Sequence, residues 1–211
     1  MTDREKILRR VRKTLADHPS PTASPPNFNV DVYTSPTEED LAILFAENLL
    51  AVQGNFCFCV DEQDFLSNLV ALLKQKDTTH IFVWDKHLQD ILRLTHIPFQ
   101  TTAQDFLQAE VGITTCEALV ARTGSILVSS QQAGGRRLSI YPPVHIVVAF
   151  TSQLVYDVKA ALQQAQQKDA LPSMLSFITG PSRTADIEKT LVLGAHGPKE
   201  LHVFLIDDLT S

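Results

Sequence analysis

From residue 55 onward, short apolar runs alternate with segments of helical period: "NFCFCV", "DFLSNLVALLKQ", "HIFVWD", "KHLQDILRLTH" and "VGITT". The runs have the length of strands, and the segments between them are long enough to cross back over a sheet. Parallel neighbours need such crossovers, so the order βαβα predicts an α/β fold with a parallel sheet covered by helices. With 44% hydrophobic and 20% charged residues in 211, one domain can bury a sizeable core.

The second half changes texture. "CEALVAR" reads as a helix opened by Glu117, and "GSILVSS" and "HIVVAF" read as strands divided by "QQAGGRRLSIYPPV", a mixed or antiparallel section. "SQLVYDVKAALQQAQQ" places Leu154, Val155, Val158, Ala161, Leu162 and Ala165 on one helical face. "SMLSFIT", a helix within "ITGPSRTADIEKTLVLGAHGP", and "ELHVFLIDD" complete the chain as strand, helix and strand.

The N-terminal part is of a different kind. Residues 1–16 form a basic amphipathic helix, with Ile7, Leu8, Val11 and Leu15 on one face. Such a face suits docking on the chain's own body or a second subunit; the basic side would also suit an acidic partner or lipid. Residues 17–36 carry Pro19, Pro21, Pro25, Pro26 and Pro36 and read as an extended linker. Residues 37–211 form the single α/β domain, which opens with a helix in "SPTEEDLAILFAENLLAV" capped by Ser35 or Thr37.

Charge and cysteines narrow the function classes. The net charge is −6, but residues 1–16 hold six Lys or Arg against two acids, so the remainder carries −10 and disfavours nucleic acid. No apolar run approaches the ~20 residues of a membrane span, and the first residues lack the apolar core of a secretory signal. The expectation is a cytoplasmic chain. Three cysteines, Cys57, Cys59 and Cys116, show no CxxC spacing. We therefore expect neither a disulfide framework nor a metal site, and no cofactor. Cys57 and Cys59 fall on one face of a strand and read as small buried hydrophobes.

Ligands of open parallel sheets bind beyond the carboxyl ends of the strands, and the loops richest in special residues lie after residue 112. In "TGPSRTADIE", Gly180 allows a sharp turn, Ser182 or Thr184 can cap the expected helix, and Asp186 and Glu188 suit its positive end. Arg183 does not fit there: a cation at a helix N-terminus needs a counter-charge, supplied by an anionic ligand or by Asp186 or Glu188. His196, between glycines in "GAHGP", either bonds a backbone carbonyl or faces a ligand approaching over Gly197. Arg136 and Arg137 follow two glycines; alone they read as solvated, and beside Arg183 they would make a positive pocket on an acidic protein. Thr123 and Gly124 offer a hydroxyl and an adaptable backbone, and Glu117 is a first-turn carboxylate or a catalytic base or nucleophile.

"TGPSRTADIEKTLVLGAHGP", with the "TGS" of residues 123–125 and "GGRRLSIYPPVHIVV", resembles the LUD domain family, specifically its small lactate-utilisation protein C type. The likeness runs from about Phe45 to the C-terminus. It implies an open, mostly parallel sheet with helices on both faces, Rossmann-like and similar to the sugar-isomerase and CoA-transferase fold group. It further implies a part in oxidising L-lactate to pyruvate beside two partners, an iron-sulfur oxidoreductase and a larger iron-sulfur LUD protein. This chain lacks their cysteine clusters, so electron transfer is not its own task. The family's usual Ala-Glu-Thr-Gly-Thr run reads here Ala121, Arg122, Thr123, Gly124, Ser125, an exchange of acid for cation that points to a divergent ligand.

Three functions remain open on these grounds. The first is a non-redox component of lactate utilisation that binds a small carboxylate or phosphorylated ligand at Arg136, Arg183 and His196. The second is a CoA-transferase-like or isomerase-like enzyme with Glu117 as nucleophile or base. The third is a scaffolding or assembly subunit for the iron-sulfur partners.

Overall fold

The α/β alternation forms as the patterning requires. A computed structural model of the chain describes residues 2–17, 40–167, 170–187, 190–194 and 196–209. Two units divide the chain, Met1–Pro36 and Thr37–Ser211. In the first, helix α1 (Asp3–Asp17) carries a Lys6–Asp3 ion pair of 3.2 Å. The proline-rich stretch beyond Asp17 lies outside the described residues, as do Ser35 and Thr37.

The second unit starts with α2 (Leu41–Ala51), capped by Asp40, whose carboxylate accepts from the Ala42 N–H at 2.9 Å. Strand β1 (Asn55–Cys59), α3 (Glu62–Lys76), β2 (Ile81–Val83), α4 (Lys86–Leu92) and β3 (Val111–Thr115) follow. Asp61 and Asp85 cap α3 and α4 in the same way as Asp40 caps α2. The chain continues through β4 (Ala118–Val120), β5 (Ser125–Ser129), β6 (Val144–Phe150), β7 (Leu154–Val155), α5 (Val158–Gln166), β8 (Leu175–Ile178), β9 (Arg183–Ile187), β10 (Thr190–Leu193) and β11 (Glu200–Ile206).

Five strands make one wholly parallel sheet in the order β1-β11-β6-β3-β2. The period-2 pleat sends alternate residues to opposite faces. Ile146 and Val148 of β6 pack with Phe65 and Leu69 of α3 and Leu88 of α4. Val147 and Ala149 face the other way, onto Phe45 and Leu49 of α2 and onto a second sheet. Helices thus cover both faces. Each fully buried Val, Leu, Ile or Phe side chain of this set contributes about 1.5–3 kcal/mol relative to an exposed one.

The second sheet, β7-β4-β5-β8, is antiparallel except for its β4–β7 pair. Of the two strands expected to make a mixed or antiparallel section, only β5 lies in it, while β6 pairs parallel on both sides in the first sheet. Leu119, Ile126 and Val128 point at the parallel sheet. Ala118, Val120 and Leu127 point outward onto Ala161 and Ala165 of α5. The domain is therefore layered as α3 and α4, parallel sheet, second sheet with α2, and α5.

Three elements differ from the sequence-based expectation. "CEALVAR" is strand β4 and a 3-10 turn (Ala121–Thr123), because Ala118–Val120 is buried on both sides between two apolar clusters. The helix expected from Ser152 starts only at Val158. Asp157 is extended and accepts from the Ala160 N–H at 2.8 Å, while Leu154 and Val155 pair with β4. Most consequential, "RTADIEKTLVL" is no helix: β9 and β10 pair antiparallel, with Arg183 opposite Leu193 and Thr184 opposite Val192. β-branched Thr184, Ile187, Thr190 and Val192 suit extended chain. Ser182 closes the base of the hairpin by donating its N–H to the Pro198 carbonyl and accepting from the Gly194 N–H, both at 2.8 Å.

Candidate functional site

With no helix after Ser182, the expected N-terminal dipole is gone and Arg183 needs another account. Its guanidinium Nη2 donates to the carbonyl of Val52, the C-cap of α2, at 3.1 Å. A cation at a helix C-terminus faces the negative end of the macrodipole. This contact reaches a residue 131 positions away; the Asp186 side chain and Glu188, the internal counter-charges weighed for Arg183, lie outside the described residues. Gly180 makes the approach fit, since a Cβ there would lie 2.3 Å from the Val52 oxygen.

Around this anchor opens a cavity of about 480 Å³. Gly180, Ser182, Arg183, His196 and Gly197 all line it, so five of the residues singled out in the sequence meet at one place. Its remaining wall includes Ser139, Ile140, Thr179 and Leu201. Because Leu201 lies at the start of β11 and Ser139 precedes β6, the cavity sits at the amino end of the parallel sheet. The expected location was the carboxyl end. His196 is exposed at its rim, and Gly197 packs so closely on Ser182 that a Cβ would come 2.9 Å from the Ser182 Cβ.

The other candidates lie elsewhere. Thr184 follows Arg183 in β9 but does not line the cavity. Arg136 and Arg137 are exposed in the long connection between β5 and β6, where the Arg136 guanidinium donates to the Ser173 hydroxyl. Neither lines the cavity with Arg183. Thr123 and Gly124 form a joint against α2: Gly124 has φ +60°, and a Cβ there would lie 2.4 Å from the Leu49 backbone nitrogen. Asn48 of α2 donates to the Ala121 carbonyl at 2.9 Å. Thr123 still reaches the cavity indirectly, through a hydroxyl chain to Ser125 (2.8 Å) and on to Thr179 (2.7 Å).

Glu117 stands at the opposite edge, in a larger cavity of about 590 Å³ where β2 and β3 end. Asp85, Thr115, Gln131, Gln132, Gln153 and Gln164 share its wall, and among the described residues none that lines it is a cation. Ser129 donates its hydroxyl to Glu117 at 2.5 Å and accepts from the Gln131 N–H at 3.1 Å, which holds the carboxylate in place. Gln153 is locked at both ends of its amide, accepting from the Phe150 N–H and donating to the Cys116 carbonyl. Burial, and then the adjacent Glu117 charge, push the Cys116 thiol up, so it stays protonated. The glutamines stand in "SSQQ" and "TSQ", where uncharged amides give a weaker signal in sequence than the adjacent arginines of "GGRR". Among the described residues, no group of three His, Cys, Asp or Glu is placed to hold a metal ion, and no helix is long and apolar enough to cross a membrane.

A family model described as the LUD domain matches residues 42–206. Among curated proteins, the chain is 30% identical over 147 residues to lactate utilization protein C of Bacillus licheniformis, covering 68% of this chain and 57% of that protein. It is 37% identical over 103 residues to that of Shouchella clausii, covering 47% and 45%. With that of Geobacillus thermodenitrificans it shares 28% identity over 184 residues, covering 83% and 72%. The chain spans about half the length of the first two of these relatives. A crystal structure of a DUF162 family protein from Deinococcus radiodurans superposes with a TM-score of 0.60 at 18% identity, covering 79% of this chain and 96% of that one.

Proposed function

This chain belongs to the LUD domain family, and from that premise we propose that it serves L-lactate utilisation as a non-redox component that binds a small anionic ligand. The relatives named lactate utilization protein C support the role. The observation that carries the ligand is Arg183: one guanidinium nitrogen is fixed on the Val52 carbonyl, and the group lines a cavity with Ser182 and His196. An anchored guanidinium presents its remaining N–H groups at a set angle, which suits the two oxygens of a carboxylate or phosphate. An iron-sulfur oxidoreductase and a larger iron-sulfur LUD protein are the partners that would carry the electrons.

Calorimetric titration with L-lactate, pyruvate and phosphate tests the reading. At least one should bind the native chain, and Arg183→Ala should weaken it tenfold or more, the ~1.4 kcal/mol or greater of a lost charge-assisted hydrogen bond. Arg183→Lys should restore only part, because an ammonium cannot make the planar two-pronged contact. Equal affinities in all three proteins would overturn the assignment, and binding of none of the anions would favour the scaffolding role.

A second reading rests on Glu117, the carboxylate held by Ser129 at the carboxyl end of the sheet, where catalytic groups of such folds gather. In a CoA-transferase-like or isomerase-like enzyme it would act as nucleophile or base. Glu117→Gln separates the two readings. Growth on lactate of a strain dependent on this chain persists under the first and fails, with the fold intact, under the second.

A further inference from the structure

Cys57 and Cys59 read in sequence as small buried hydrophobes, and the structure gives them different settings on the same face of β1. Cys59 is fully buried against α3. Cys57 is half-buried and lines a cavity of about 280 Å³ together with Asn55, Asn68, Gln75 and His202. Their sulfurs lie 3.9 Å apart, in thiol hydrogen-bond contact. We propose that they form a reversible dithiol–disulfide pair, with Cys57 the entry thiol and Cys59 the resolving thiol, oxidised by low-molecular-weight disulfides of the glutathione class.

The exchange balances in two steps. The Cys57 thiolate attacks one sulfur of the disulfide, forming a mixed disulfide and releasing one small thiolate, which takes up the proton Cys57 has lost. Cys59 then gives up its proton and attacks the Cys57 sulfur, closing the Cys57–Cys59 bond and expelling the second small thiol. The protein loses two hydrogens, and the small disulfide becomes two thiols. Burial foremost, then the neighbouring Cys57, pushes the Cys59 thiol up to about 12. Buried Cys59 is therefore a poor first attacker. Once Cys57 is capped, its charge no longer opposes ionisation of Cys59, and the reacting sulfur is already in contact.

The strand decides that the bond is reversible. Residues two apart on a strand have Cα atoms about 6.6 Å apart, at the upper end of the usual disulfide range of about 4.4–6.8 Å. Closing the bridge must shorten β1. Among the described residues β1 is an edge strand hydrogen-bonded only to β11, so it can buckle where a central strand could not. A bridge strained in this way is readily reduced.

The test treats the purified full chain with oxidised glutathione, quenches with acid, alkylates under denaturing conditions, and maps the peptides by mass spectrometry. Two of the three thiols should become unreactive as a Cys57–Cys59 bridge, Cys116 should remain alkylatable, and dithiothreitol should restore all three. Cys59→Ser should stop at a glutathione adduct on Cys57, and Cys57→Ser should give neither adduct nor bridge. A native chain that keeps all three thiols, or that holds a stable glutathione adduct on Cys57 beside an alkylatable Cys59, overturns the proposal without relying on either variant.

Discussion

Gly124 and Gly194 share left-handed backbone, φ +60° and φ +72°, yet an added methyl group meets different obstacles at each. At Gly194 the nearest atom is Cγ of Lys199, 2.2 Å away on an exposed and flexible side chain that can swing aside. At Gly124 the three nearest atoms are backbone: Leu49 N at 2.4 Å, Asn48 C at 2.5 Å and Asn48 O at 2.8 Å. These belong to α2, whose Phe45 and Leu49 are fully buried between the sheets. Gly194→Ala should therefore cost only the left-handed strain, about 1–2 kcal/mol. Gly124→Ala adds the cost of displacing a packed helix, about 1–3 kcal/mol for overpacking, so its total is about 2–5 kcal/mol. Urea unfolding of the native chain and both variants measures this, read as the change in midpoint at constant slope. Equal losses would refute the claim that the Thr123-Gly124-Ser125 run is a joint against α2. A Gly124→Ala protein with native stability and weakened anion binding would return that run to the ligand site.

His145 is fully buried, with Nε2 in hydrogen-bond contact with the Thr114 hydroxyl at 2.9 Å, and burial pushes its imidazole down to about 3 from 6.5. The unfolded chain takes up a proton that the native one refuses, so stability falls as pH drops from 6.5 toward 3, by up to about 1.4 kcal/mol per pH unit. His145→Gln should remove one proton's worth of that slope in unfolding titrations, and an unchanged slope would show that the imidazole is charged in the native state. Asp157→Ala should cost about 1 kcal/mol by unfolding, through loss of the α5 cap; no loss would mean that pairing of β7 alone sets the start of that helix. The purified chain should be colourless and unable to oxidise L-lactate with an artificial electron acceptor, and turnover by the lone chain would sink the accessory role.

The regular half of the domain was legible because its signals agree. The apolar runs of β1, β2 and β3 have strand length, and Asp61 and Asp85 stand where helix caps belong. The opening of the second half was misread where a short apolar run, Ala118–Val120, fits a strand and a helix equally, and only burial between two layers decides. Residues 183–193 misled for a stronger reason. Ser182, Asp186 and Glu188 mimic the start of a helix, while the pairings that select a hairpin come from contacts with Pro198 and Gly194 farther along the chain. Convergence of Gly180, Ser182, Arg183, His196 and Gly197 on one cavity could be read from their clustering in sequence. The role of Val52 could not, because nothing in the sequence near it announces a partner 131 residues away.

The strand order β1-β11-β6-β3-β2 also sets a timetable. Among the described strands β1 has no neighbour but β11, and its first pair joins Asn55 to His202, among the widest separations the chain can close. During synthesis β2, β3 and β6 can assemble as they emerge, whereas β1 and the helix packed on it wait for the last strand to slot between β1 and β6. Loops this long close slowly and leave an unpaired edge exposed meanwhile. The nascent chain should therefore pass through an aggregation-prone species that disappears only when β11 is delivered, and ribosome-stalled chains lacking residues 200–206 should be the form that chaperones hold.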